Sequence, residues 1–514
     1  MLKNPYIAKR ENERVYNDIS TSQWWYDLQQ EVGLDTVVLA VMLFSDMTLV
    51  NNNGRKKAWP LYLTLGNIPK SIRYLEAYRA CRVLAYLPVI TTIKGKAIPS
   101  WWSHCKVLVF HHCMKIILKP FKNGPCVRPF FGPNKKVYSC VPALATYGAD
   151  YPEQNMLAGT KSWLNGHGCP RCFLERDWFR YGNDHPECQH RNNQNMAEFH
   201  TTGEKGSMVV TNAFHMNNNP FWNIYKALVV DDLHQLGGMY KHLICFVENA
   251  AKINGKKNMI DQQYKLIPKF RGLKSFDNGF MSTSLVNPTY DELRKHMTQL
   301  LSVVHNLVPV QATLCIRAFL DFYIQITSKE HTDNTLKQAD EYLNLFFKYL
   351  PIFQDAAKTT CNFPKIHMLT KYTADIKAKG PVDGFSTNHG ERLHKSQAKQ
   401  PSKRTNQRSM KSFTTQLAKF VQTRDSFFDM YPTTTITEDQ KPPPFFSQPW
   451  PLNDDKLMPQ FLQENLCIVG YRLCSKQAKY KEFNHLRDVV EQLTLLKTNI
   501  RLYLNSVIDK NNNS

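Results

Sequence analysis

Residues 37–48 read VVLAVMLFSDMT, and this stretch decides the fold. Val37 to Phe44 is an unbroken apolar run rich in strand formers. A strand that is apolar on both sides is buried on both faces. Its end, at Ser45 and Asp46, is where a carboxylate can meet solvent and a cation. Asn51, Asn52, Asn53 and Gly54 supply turn chemistry. WPLYLTL follows at 59–65, then Gly66 and Asn67, then RVLAYLP at 82–88. The pattern predicts a three-strand meander over 36–90 with an acid at its edge.

Outward from the meander, Ser20 to Gln30 predicts a short helix with Trp24, Trp25 and Leu28 on its apolar side. His104 to Lys119 predicts a longer one, with Val107, Leu108, His111, Met114, Ile117 and Leu118 on one face. Val137 to Tyr147 reads as a strand closing near Asp150. Leu228 to Val230 reads as a short strand feeding a helix from Asp231 to Asn249. Residues 285–360 are helical by spacing (Leu300, Leu301, Val304, Leu307; Leu343, Phe346, Phe347, Leu350). Asn388 to Lys399 predicts another helix. Residues 432–451 are rich in Thr and Pro and read as a linker, followed by a tail ending in an amphipathic helix.

Composition narrows the class. At 514 residues the chain exceeds one ordinary core, so two or three structural units are expected. With 42% hydrophobic residues and 12% aromatics it is globular and not disordered. A formal net charge of +22 points to a polyanionic partner, nucleic acid being the commonest. No run of about 18 apolar residues occurs, so no membrane span is expected. Thirteen cysteines without a signal-peptide pattern predict a reducing compartment, with free thiols or metal ligation in place of disulfides.

Seven phrases, in order, carry a family resemblance. They are FSDMT (44–48) with AWPLYLTLGNIPKSIR (58–73) and VLAYLPV (83–89), YGADYPEQ (147–154), GCPRC (168–172), VDDLHQLGGMYKHLI (230–244), IPKFRGLKSF (267–276), FPKIHMLTKY (363–372) and GERLHKSQAK (390–399). Across roughly residues 20 to 425 the chain resembles the Plavaka group of transposases, fungal relatives of CACTA-type cut-and-paste elements. The resemblance implies an α/β fold: an RNase H-like catalytic core interrupted by a Cys/His-rich insertion and an α-helical insertion. Its expected divisions are a helical flank (1–35), the first part of the core (36–159), the Cys/His-rich insertion (160–220), the core around a second acid (221–284), the helical insertion (285–360), the C-terminal core with a glutamate helix and basic stripe (361–431), and a linker with tail (432–514). It also implies a nuclear DDE-type DNA transposase. The alternative is a catalytically inactive, decayed or host-adopted relative that only binds DNA.

DNA hydrolysis and strand transfer by two divalent ions, Mg²⁺ or Mn²⁺, require carboxylates converging from distant positions. Asp46 is the first candidate; the competing reading is a turn or capping aspartate. Asp231 is the second, three residues before His234 in a D-x-x-H spacing, with Asp232 as an alternative ligand and helix capping as the competing role. His234 would orient the acid or the scissile phosphate. Glu391 is the third. Related sequences read NTE-x-x-ERLH, and this chain has Asn388 at the earlier acid. If that acid is the catalytic one, the chain is inactive; if Glu391 is, it is intact. The competing role is a capping box from Asn388 to Glu391.

Cys169 and Cys172 have the spacing of a zinc half-site. His185 and Cys188 would close a local tetrahedral site, with His190 close by. Alternatively His389 and His394 complete it from beside Glu391, as in related recombinases. The competing reading is two reduced cysteines in a loop. A zinc deaminase is excluded, because His185-Pro-Glu187 follows the cysteine pair instead of preceding it.

From Glu391 to Arg424 nine Lys or Arg residues face one acid, and solvated faces usually mix signs. Lys395, Lys399, Lys403, Arg404, Arg408 and Lys411 form a candidate phosphate-binding stripe, and Arg55, Lys56 and Lys57 a second patch. The expected partner is double-stranded DNA; a homodimer is left open. No C2H2 finger pattern precedes the first strand, so recognition of element ends is expected to be lost or supplied elsewhere, as in a truncated element copy.

Overall fold

The structure, a computed structural model, describes residues 5–10, 12–51, 56–90, 101–122, 128–131, 137–181, 188–216, 219–269, 271–276, 288–357, 360–405 and 410–430. The expected linker and tail (432–514) lie outside the described residues. The rest is a mixed α/β fold.

Four strands form its centre: β1 (Val37–Ser45), β2 (Lys57–Leu65), β3 (Arg82–Leu87) and β4 (Val137–Gly148). The spatial order is β3-β2-β1-β4. β2 pairs antiparallel with β1 and β3, giving the expected meander. β4 instead runs parallel to β1, from Val37 against Cys140 to Phe44 against Gly148. A parallel neighbour needs a crossover, and α2 (Trp102–Ile117) lies on that connection. Before Val41 in the chain, β2 does not flank β1, and buried Asn67 takes its place. Asn67 Oδ1 accepts from the Ala40 amide at 2.9 Å and its Nδ2 donates to the Val38 carbonyl at 2.8 Å.

Both faces of β1 are buried, as its unbroken apolar run requires. Val38, Ala40 and Met42 join the helical layer, while Val41 and Leu43 join Trp59, Phe110, Met114 and Trp222 on the α2 side. The helical layer comprises α1 (Gln23–Val32), α4 (Gly237–Ile253), α5 (Tyr290–Val304), α6 (Val310–Ile326) and α7 (Asp333–Tyr349); α3 (Tyr151–Ala158) follows β4 on the other side. Capping boxes fix two starts, Thr289 with Glu292 and Thr332 with Thr335. Beyond come α8 (Pro364–Leu369), α9 (Tyr372–Lys379), α10 (Thr387–His394) and α11 (Met410–Met430).

Two local expectations change. The N-terminal flank is not purely helical. Ala8–Arg10 and Glu13–Tyr16 form a hairpin that pairs with His331–Thr332, tying it to the helical layer. A buried ion pair from Arg73 to Asp18 (2.6 Å) joins the following turn to the core. The strand expected at 228–230 is a single bridge, Leu228 to Tyr147, in parallel sense. Asn223 caps a short helix before it and Asp231 caps the next one, leaving only three extended residues between.

His296 lies inside the helical layer, with Tyr240 Oη 2.7 Å from Nδ1 and Tyr264 Oη 2.5 Å from Nε2. Burial lowers its pKa to about 3. Because the folded value is depressed, the unfolded chain binds more protons between pH 6.5 and 3. Stability from this group is complete above pH 6.5 and falls as pH drops, by about 1.4 kcal/mol per unit. A His296→Gln variant should therefore lose thermal stability less steeply than the parent between pH 6.5 and 4.5. Parallel melting curves across that range would remove His296 from the acid response.

Candidate active site and Cys/His centre

Parallel pairing decides where the acids emerge. β1 and β4 end at the same edge of the sheet, so Asp46 follows Ser45 beside Gly148, Ala149 and Asp150. Leu228 is bridged in parallel to Tyr147, which sends Asp231 toward that edge as well. Asp150 feels this company. Burial raises its carboxyl most; the Glu153 amide lowers it, and the charges of Asp46 and Asp231 raise it further.

α10 supplies the remaining groups. His234 Nδ1 lies 2.5 Å from Asp231 Oδ2, and its Nε2 lies 3.2 Å from Glu391 Oε1. Burial alone would lower the His234 pKa, but hydrogen bonds to the two carboxylates raise it to about 11. One turn after Glu391, His394 Nε2 lies 3.0 Å from Asp46 Oδ2, and its Nδ1 lies 3.0 Å from Tyr62 Oη. Burial holds the Tyr62 phenol protonated, so it donates to Nδ1 and leaves the Nε2 proton for Asp46. Asp231 also accepts from the Leu233 amide at 3.0 Å and from the Thr387 hydroxyl. Asp232 accepts from Ser386 at 2.6 Å.

The competing capping box does not form. Ser386 is the N-cap of α10, accepting from the Asn388 amide at 3.2 Å, which leaves the Glu391 carboxylate for His234. Asp150 is the acid that sequence reasoning passed over, reading it only as a strand end. The signal was present: an acid two residues beyond the strand, in the phrase YGADYPEQ. What the sequence lacked was the parallel register that sets this strand beside β1. Glu153, in the same phrase, is buried and accepts from Trp59 Nε1 at 3.2 Å, and burial holds its carboxyl well above the usual range.

Two glycines place α10. A Cβ on Gly390 would stand 1.8 Å from one edge of the Phe44 ring, and one on Gly148 3.2 Å from its other edge. Phe44 also stacks on Tyr62, with centroids 5.8 Å apart. The ring is held between Gly390, Gly148 and Tyr62, so Gly390→Ala should push α10 off the sheet and cost about 1–3 kcal/mol, the usual price of overpacking. The thermal midpoint should fall, and an unchanged midpoint would show that Phe44 can move aside.

The second centre gathers Cys169, Cys172 and His367, whose donor atoms all lie within 4.8 Å of one another. All three are buried. His367 Nε2 is 3.1 Å from Cys172 Sγ. Cys188 hydrogen-bonds to Cys172, which is the largest effect lowering its thiol to about 5, and Lys371 Nζ lies 3.4 Å from its sulfur. The distal partner is thus a histidine of α8, from the phrase FPKIHMLTKY, which sequence reasoning missed. Neither of the two expected distal histidines reaches this centre. His389 stacks flat on Tyr74 at 3.8 Å and bonds the Asp383 carbonyl, while His394 belongs to the acid cluster. Their five-residue spacing puts them on different sides of the helix. His185 lies outside the described residues.

Residues 3–247 match the Plavaka transposase family. Over that span the chain is similar to Plavaka transposases. The span holds Asp46, Asp150, Asp231, His234, Cys169, Cys172 and Cys188; His367, Glu391 and His394 follow it. No curated protein matches the chain significantly.

The basic residues of the chain also meet. Lys395, Lys399, Lys403 and Arg404 are exposed along the segment directly after α10. α11 packs Phe413, Leu417 and Val421 on Val50, Ala58 and Tyr86, together with Ala398. Lys56 lies over the Phe413 ring at 5.4 Å, and Lys57 beside it is exposed. The hairpin patch and the stripe therefore flank one apolar cluster. Arg424 turns inward to the Ser396 carbonyl and Gln397. Arg55, Arg408 and the Lys411 side chain lie outside the described residues. Among the described residues no helix is long and apolar enough to cross a membrane.

Proposed function

We propose that this chain is a DDE-type DNA transposase, a nuclear enzyme that cleaves and joins duplex DNA with divalent metal ions. The observation that carries the reading is the gathering of Asp46, Asp150, Asp231 and Glu391, from four distant segments, around one sheet edge. The strand order β3-β2-β1-β4, with only β1 and β4 parallel, supports an RNase H-like core. The Cys/His-rich segment and the helices over 290–357 then read as insertions into it.

The chemistry of the donor set suits Mg²⁺ or Mn²⁺. It is made of carboxylates, the hard oxygen donors those ions take. Among the described residues only Cys169, Cys172 and His367 bring three donor atoms within 4.8 Å of one another, so the acids would have to close in around an ion. The cluster also draws in positive charge, since the imidazole of His234 is held as a cation between two of its acids. Asp46, Asp150 and Glu391 would hold the metal. Asp231 already accepts from Leu233, Thr387 and His234, and in this reading it orients His234 toward Glu391. Bound metal ions supply an activated water or 3′-hydroxyl and stabilise the leaving oxygen. His394, fixed by Tyr62, aims Asp46. The exposed lysines after α10 hold the phosphate backbone across the cluster. The buried thiol and imidazole donors of the second centre suit zinc, which prefers such ligands.

The competing reading, a decayed transposase that only binds DNA, rests on Asn388. Glu391 weighs against it, because its carboxylate faces His234 and is not used as a helix cap. Mn²⁺-dependent nicking of supercoiled plasmid tests the assignment. The active reading expects nicked circles with metal and none with chelator; binding without nicking at any Mn²⁺ concentration would leave the decayed form.

A further inference from the structure

We propose that Cys169, Cys172, Cys188 and His367 form one zinc site, and that the filled site positions Asp231 through Arg171 and Asp375. Its catalytic consequence rests on the transposase reading; the site and the relay do not.

Tetrahedral zinc with bonds of about 2.0–2.3 Å holds its donors roughly 3.5 Å apart. The observed 3.1 Å from His367 Nε2 to Cys172 Sγ, and the 4.8 Å limit on the three donors, are of that size. The Arg171 amide points at Cys169 Sγ at 3.4 Å, so the turn between the cysteines already supports a thiolate. Cys188 is brought over this turn by a short antiparallel contact. Phe173 N donates to the Gln189 carbonyl at 2.9 Å and Arg191 N to the Arg171 carbonyl at 2.9 Å. Buried Arg191 clamps the turn further, its Nε donating to the carbonyls of Cys169 and Cys172. Three thiolates, one neutral imidazole and Zn²⁺ carry a net charge of −1. Lys371, buried and 3.4 Å from Cys188, carries the compensating charge.

The relay starts inside the cysteine turn. Arg171 grips Asp375 on α9 with both arms, Nη1 to Oδ2 at 2.7 Å and Nη2 to Oδ1 at 2.6 Å. Asp375 Oδ2 in turn accepts from the Val230 amide at 2.9 Å, one residue before Asp231. Tyr372, one turn earlier on α9, donates to the Asp231 carbonyl at 3.2 Å. The backbone that presents Asp231 to His234 is therefore fastened to α9, and α9 to the cysteine turn. Such a paired fork loses its geometry when the guanidinium becomes a point charge. Loss of the metal frees the turn that aims Arg171.

The full-length protein should contain one zinc per chain. After exchange with Co²⁺ it should show the thiolate-to-cobalt charge-transfer band of a three-sulfur site, and Cys188→Ser should weaken that band by about a third. Hydrogen exchange reads the relay without activity. Arg171→Lys should keep zinc and the thermal midpoint but raise exchange in the 228–236 segment at least tenfold, leaving α6 and α7 as in the parent. The half-saturating Mn²⁺ for nicking should rise by about 10–100-fold in the same variant, the usual size of an outer-shell effect. Asp375→Asn gives the same readout if Arg171→Lys fails to fold. No stoichiometric zinc overturns the site. An unchanged cobalt band in Cys188→Ser overturns the fourth ligand. Parent-like exchange in 228–236, in a variant that folds, overturns the relay. A parent that binds zinc and never nicks DNA sinks the transposase reading alone, and the exchange data still decide the relay.

Discussion

Asp150→Asn should lower Mn²⁺-dependent plasmid nicking by about a thousandfold or more, as loss of a ligand in a two-metal site removes several kcal/mol of transition-state stabilisation. Asp46→Asn should do the same. Asp150 stands two residues beyond the strand parallel to β1, and its carboxyl is raised by burial and further by the charges of Asp46 and Asp231. An asparagine keeps the shape and removes the charge that a cation needs. Asp231→Asn should behave differently. It takes the negative charge from His234's 2.5 Å partner but takes no ligand from the metal in the proposed assignment. A loss of about 10–100-fold, typical of an outer-shell partner, is expected. Duplex affinity should change little in all three, because phosphate contacts lie elsewhere. If Asp231→Asn is as inactive as Asp46→Asn while Asp150→Asn nicks normally, the assignment of the second ligand reverses.

The contrast between Asp46 and Asp150 shows what the sequence made legible. Asp46 was readable because an eight-residue apolar run leaves only one place for an acid, its end. Asp150 closes an equally apolar strand, Val137–Gly148, but its value depends on register. A β-strand does not announce its neighbour, and whether β4 ran parallel beside β1 or elsewhere was not in its own residues. Side-chain partners at long separation were hidden for the same reason. Cys169 and Cys172 are close in sequence and reveal a half-site by spacing alone. His367 lies 195 residues from Cys172 and carries no local mark of ligation. Likewise His389 and His394 share a short segment, yet a helix turns one toward Tyr74 and the other toward Asp46. The helical layer was the easiest to see, since three- and four-residue spacing is a local property. The bridge at Leu228 was the hardest, because caps at Asn223 and Asp231 shorten an apolar run that would otherwise make a strand.

Replacing Lys395, Lys399, Lys403 and Arg404 together by Ala should remove most of the salt dependence of DNA binding. If about six basic groups touch phosphates, the parent's log–log salt slope is roughly −5, and affinity falls about a thousandfold between 50 and 200 mM salt. Four lost contacts flatten the slope by about 3.6, leaving roughly a tenfold fall over the same range. All four side chains are exposed and follow α10, whose Glu391 and His394 face the acid cluster. Lys57 lies across the same apolar cluster and remains to carry residual binding. Because phosphate contacts carry no base information, the variant should weaken on every duplex sequence alike. Its fold should survive, since α11 is held by Phe413, Leu417 and Val421 and by the inward-turned Arg424, none of which is changed. Fluorescence anisotropy on two unrelated duplexes at several salt concentrations measures both slope and specificity. A variant that keeps the parent's slope would make the stripe a solvated face and move the DNA path to another surface. A variant that loses affinity for only one duplex would mean that these residues read bases.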